Sequence, residues 1–113
     1  QQIKAGKVRA IAVTSAKHAL ALPDVPTVAE SGVPGYEVTS WNGILAPAGT
    51  LPDIVRRLNA ELNKIITASD MRQRMSDLGA DPANETPDEF GAYIRAEIVK
   101  WAKVIKESGA TAD

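Results

Sequence analysis

His18 is the only histidine in the chain, and no cysteine is present. A zinc or iron site needs several imidazole, thiolate or carboxylate groups converging, so a lone histidine with no thiol or acidic pair at ligand spacing is read as an exposed loop side chain with no role. No serine lies within a Gly-x-Ser-x-Gly turn, so none has the strained setting that aims a hydroxyl at a carbonyl. Asp70, Asp77, Asp88, Glu89 and Glu97 fall on helical patterns, where carboxylates solvate a face or cap a helix start. No catalytic residue, metal ligand or cofactor site is therefore assigned. Two places retain binding chemistry. Gly49-Thr50 opens a helix whose free N–H groups suit a carboxylate, although an ordinary cap explains the pair as well. Ser40-Trp41-Asn42-Gly43 sets an amphipathic ring and two small polar groups before a glycine that permits close backbone approach. Ser40, Trp41 and Asn42 are the candidate ligand contacts, with core packing the alternative for Trp41. Trp101 belongs to a helical apolar stripe and is read as structural.

The elements that must position these residues follow from patterning. Residues 1–6 read as the last turn of a helix stopped by Gly6, with no initiating Met, which suggests a cut chain. Val8, Ala10, Ile11, Ala12 and Val13 form a nearly continuous apolar run, the form of a strand buried on both faces in a parallel sheet. Residues 15–35 carry Pro23, Pro26, Gly32, Pro34 and Gly35 and read as loop with at most a short helix, where Thr27 and Glu30 have capping-box spacing. A second strand is expected to begin near Tyr36. Along 36–46 the apolar parity changes from Tyr36 and Val38 to Trp41 and Leu45, as in an extended segment passing from one packing environment to another, or in a bulge near Gly43.

Three helices complete the chain. Thr50 is expected to cap one carrying Ile54, Val55, Leu58, Leu62, Ile65 and Ile66, and Ser69 to cap a shorter one ending at Leu78-Gly79. Thr86-Pro87-Asp88-Glu89 is a strong start signal for a long helix with Phe90, Ile94, Ile98, Trp101 and Ile105 in one stripe, ended by Gly109. The fold class is α/β, and two strands with three helices do not close a layered architecture, so further strands are expected beside them.

Composition bounds the partners. The chain has 113 residues, 44% of them hydrophobic, with 13 basic and 14 acidic side chains and a formal net charge of −1. That balance supplies no field for nucleic acid or an anionic membrane. No apolar run approaches the length of a membrane span, and the first residues lack a signal-peptide layout.

The residues 3–15 (IKAGKVRAIAVTS), 22–30 (LPDVPTVAE), and Trp41-Asn42-Gly43 followed by Ala46-Pro47-Ala48-Gly49-Thr50 together resemble one family, the substrate-binding proteins of tripartite tricarboxylate transporters, also called the Bug family. The similarity continues through Leu58-Asn59 and Leu78-Gly79-Ala80 to Ser108-Gly109. Leu51 stands where the family usually has proline, and His18-Ala19-Leu20 where Arg-Ser-Pro is more usual. The resemblance implies the C-terminal part of a two-lobed type II periplasmic binding protein of about 300 residues. It places 1–35 at the end of the second lobe and its linker, 36–46 as a crossing segment, and 47–113 as C-terminal helices returning to the first lobe. It implies no enzyme but a periplasmic module capturing a small organic carboxylate for membrane permease subunits, its apolar faces covered by the rest of the same protein or by self-association. The same architecture also serves ligand-sensing domains of transcription regulators, and the long helix alone suits a helical interaction module.

Overall fold

The computed structural model describes residues 2, 3 and 5–111. Its elements are α1 (Pro52–Thr67), α2 (Ser69–Asp77) and α3 (Pro87–Ser108). The chain divides into two units, one of the described residues up to Leu45 with Ala68–Pro82, the other of Ala46–Thr67 with the described residues from Ala83 onward.

Among the described residues of the first unit the expected strands are reduced to a single parallel bridge between Val13 and Thr27. The Val13 N–H donates to the Pro26 carbonyl at 2.9 Å and the Val28 N–H to the Val13 carbonyl at 2.9 Å. The Val38 N–H donates to the Thr14 carbonyl, also at 2.9 Å, within the strand expected from Tyr36. A strand exists only by pairing, and among the described residues the backbone of 8–12 has no neighbour to pair with. The apolar run is present, but the ladder is not.

Helix-end chemistry is formed where it was expected. The Lys7 N–H reaches the Gln2 carbonyl and the Gly6 N–H the Ile3 carbonyl, the bond pattern of a helix C-terminus, although Gln1 and Lys4 of the expected turn lie outside the described residues. At the end of α2 the Gly79 N–H bonds Ser76 and the Ala80 N–H bonds Met75. Gly79 at φ 72° makes this closure possible, because a Cβ is disfavoured there. Ser69 does not cap α2. The cap position is Ala68, which makes no side-chain bond, and Ser69 is already helical. Met71 and Met75, four residues apart, are the half-buried face of this helix.

In the second unit Thr50 is likewise not the cap. Its hydroxyl donates to the Pro47 carbonyl at 2.8 Å, while the Leu51 carbonyl accepts from Ile54 and Val55. Pro52 is the reason, since its fixed φ and missing N–H suit the first helical position and move the start beyond Thr50. α3 starts as read: the Thr86 side chain accepts from the Glu89 N–H, the Glu89 carboxylate accepts from the Thr86 N–H, and Pro87 is the first helical residue. Gly109, at φ 66°, ends it.

The apolar arc of α1 is wider than α3 covers. Val55, Leu62 and Ile66 are half-buried, but Ile54, Leu58 and Ile65 are exposed. Asn59 and Asn63 donate from the same side to the Glu85 carbonyl, at 2.9 and 3.4 Å, tying α1 to the entry of α3. Along α3, Phe90 and Ile94 are half-buried, whereas Ile98, Trp101 and Ile105 of the same stripe are exposed. No apolar side chain among the described residues is fully buried.

Candidate functional site

The expected ligand contacts lie in the first unit on a stretch with no helix, turn or ladder from residue 36 to 47. Ser40, Trp41 and Asn42 are all exposed, Trp41 at 43%. The anchoring point upstream is the Val38–Thr14 backbone bond, which lays this stretch beside the end of the apolar run.

Beside that run is a cavity of about 540 Å³ lined by Arg9, Ala10, Ile11, Asp24, Val25 and Pro26. Its two walls meet at the Val13–Thr27 bridge. A second cavity, of about 620 Å³, lies in the second unit and includes Thr50, Pro52 and Arg56 at the start of α1 with Thr86 and Pro87 at the start of α3. Arg56 is paired with Asp53 one helical turn away. Neither cavity includes Ser40, Trp41 or Asn42. Among the described residues no group of three or more His, Cys, Asp or Glu side chains could hold a metal ion.

Two polar clusters were not read from the sequence. His18 is no free loop side chain: Nδ1 is 2.6 Å from the Pro23 carbonyl and Nε2 is 2.9 Å from Glu30 Oε2. The same Glu30 oxygen accepts from the Thr27 N–H, and the Thr27 hydroxyl accepts from the Glu30 N–H at 3.1 Å. Thr27, 1% exposed, is the most buried residue described. The Pro23 carbonyl and the Glu30 carboxylate raise His18 above the ordinary imidazole range, and the Thr27 amide and the ring lower Glu30 below that of a free carboxylate. The Thr27/Glu30 spacing signalled the cap. The partnership of His18 rests on a twelve-residue separation that carries no sequence signal.

The other cluster is on α3. Glu97, read as solvated, is 8% exposed; it pairs with Lys100 and accepts from the Trp101 indole N–H at 2.9 Å. The Lys100 ammonium lies 5.8 Å from the Trp101 ring centre. Lys100, and then the indole, hold Glu97 below the usual carboxylate range against the effect of burial. The i, i+3 and i, i+4 spacings were visible, but not that the carboxylate turns inward. No helix among the described residues is long and apolar enough to cross a membrane.

Comparison with known proteins adds to this geometry. A model of the tripartite tricarboxylate transporter family receptor matches residues 1–110. A UPF0065 protein from the tcbD-tcbE intergenic region of a Pseudomonas species is 44% identical over 108 residues, 95% of this chain and 32% of that protein. BugT of Bordetella pertussis is 36% identical over 110 residues, 97% of this chain and 34% of its own. Among solved structures, an R. palustris protein with adipate superposes with a TM-score of 0.76 at 38% identity, over 96% of this chain and 36% of that one. The periplasmic binding protein BugD gives 0.76 at 39%, over 96% and 37%. The chain thus spans about a third of the length of these relatives.

Proposed function

From the premise that this chain belongs to the tripartite tricarboxylate transporter receptor family, we propose that it supplies one wall of a periplasmic binding site for a small dicarboxylate. The observation that carries the reading is its similarity, at 38% identity and a TM-score of 0.76, to a protein solved with adipate. The role is capture and delivery to membrane permease subunits, without chemistry on the ligand. Residues 36–46 form the crossing between the two lobes, preceded by the end of the second lobe and followed by helices of the first. That 36–47 forms no helix, turn or ladder supports this. Ser40 and Asn42 contribute neutral hydrogen-bond donors, and Trp41 an amphipathic surface, where a carboxylate is held with little formal charge.

A cleft ligand is held from both sides, so a single wall forfeits burial and convergent bonds while the cost of immobilising the ligand remains. Titration calorimetry over C4 to C6 dicarboxylates, adipate included, is the test. This chain alone is expected to give no saturable heat. A protein of the relatives' full length containing it is expected to bind, and Ser40→Ala or Asn42→Ala in that protein to weaken binding about tenfold, the factor of one lost hydrogen bond to a charged group. Tight binding by this chain alone, or full-length affinity unchanged by both substitutions, overturns the site assignment.

A further inference from the structure

The histidine read as idle has both ring nitrogens engaged. Its two ring nitrogens face two acceptors, the Pro23 carbonyl at 2.6 Å and Glu30 Oε2 at 2.9 Å. A neutral imidazole has one N–H and one lone pair, so it can satisfy one of these partners and turns a lone pair on the other. Only the imidazolium donates to both. Glu30 does not reverse the roles by donating, because the Thr27 amide lowers it below a free carboxyl, and an ionised carboxylate only accepts. The charges acting on the ring are those of Glu30 and Asp24, both acidic.

What the ring joins gives the bond pair a consequence. Pro23 and Thr27 bracket Asp24, Val25 and Pro26, which are one wall of the 540 Å³ cavity, and Thr27 pairs across to Val13 beside the opposite wall. We propose that His18 is a proton-operated clip: as the imidazolium it ties Pro23 to the Thr27–Glu30 turn and fixes the 24–26 wall, and as neutral imidazole it releases one end. The clip does not rest on the dicarboxylate reading and holds whatever occupies the cavity.

The sign follows from both partners. His18, raised in the folded chain, contributes stability fully below about pH 6.5, lost as pH rises through its higher folded value. Glu30, lowered, contributes above about pH 4.5, with loss as pH falls through its folded value. The clip is closed between those limits.

The test is proton NMR of the His18 ring between pH 5 and 9, with amide exchange of Val13 and Val28 corrected for the intrinsic pH dependence of exchange. His18 is expected to titrate above its value in the urea-unfolded chain. Exchange at Val13 and Val28 is expected to rise roughly 3- to 10-fold through the same titration, the factor of one hydrogen bond. His18→Gln, which carries no titrating proton, should abolish the step. Glu30→Gln, which keeps an acceptor for the Thr27 amide, should bring His18 down towards its unfolded value. A flat exchange profile in the wild type, the same step in His18→Gln, or a His18 titration at or below its unfolded value overturns the clip. The ring titration reads the proposal even if a variant fails to fold.

Discussion

Separating this chain from anything that covers its apolar faces should cost it cooperative folding, and surface area shows by how much. A compact protein of 12.0 kDa exposes about 6,000 Å², and two separately compact halves together about 7,200 Å². This chain exposes 9312 Å². Even against the two-halves reference the surplus is about 2,100 Å², the size of an obligate interface. If a little over half of it is apolar, about 30 kcal/mol of gross burial is unrealised, more than the whole 5–15 kcal/mol margin of a folded domain. The perturbation that reads this is Ile11→Ala, at a residue 81% exposed. In the chain alone it should change stability by less than about 0.5 kcal/mol. Where a complementary chain or a second copy covers the run, the loss should be about 2–5 kcal/mol. The assay is light scattering with urea unfolding, on the chain alone and with the portion of a relative that it does not span. A monomer of compact radius with a steep single urea transition, equally insensitive to Ile11→Ala in both settings, refutes the reasoning.

Thr86→Ala removes the acceptor for the Glu89 N–H at the start of α3 and should destabilise the helix by about 1 kcal/mol, read as lost helicity by circular dichroism. Thr27→Val keeps the buried shape but leaves the Glu30 N–H without its hydroxyl acceptor; with Thr27 1% exposed, unfolding should become about 1–2 kcal/mol easier in urea. Glu97 is lowered by Lys100 and the Trp101 indole, so its contribution is present above about pH 4.5 and disappears as pH falls through its folded value. Trp101 emission should shift over that acidic window in the wild type and stay level in Glu97→Gln.

Helix boundaries were legible because they are local chemistry. Thr86, Pro87 and Glu89 specify a start within four residues, and Gly79 and Gly109 each specify an end by tolerating φ that other residues resist. The two misplaced caps have a common cause: a hydroxyl before a helical pattern was weighed without its neighbours. Pro52 sets the start of α1 beyond Thr50, and Ser69 enters α2 as a helical residue behind Ala68. The strand expected over 7–14 failed for a different reason. Val8 to Val13 announce burial in a sheet, but pairing is a property of two segments, and among the described residues only 26–28 and 38 approach, at the end of the run. Apolar periodicity reports what a segment needs and not whether its neighbour is present.

The same distinction governs the polar residues. Ser40, Trp41 and Asn42 could be singled out because their types and a following glycine suggest a surface for a ligand, a property of one short stretch. The connections of His18 and Glu97 were invisible because each depends on which way a side chain turns after folding. Glu97 pairs with Lys100 and Trp101 on the next turn of its own helix, which offer it a charge and a donor together. His18 is held because the Thr27–Glu30 turn delivers a carboxylate to one ring nitrogen while Pro23 presents a carbonyl to the other. Helix-start or helix-face geometry positions each carboxylate; the partners of Glu97 have visible helical spacing, whereas His18 stands twelve residues from Glu30, a separation that spacing leaves unassigned. Such paired carboxylates, Glu30 on a backbone amide and Glu97 on two side chains, are where the chain places its pH sensitivity.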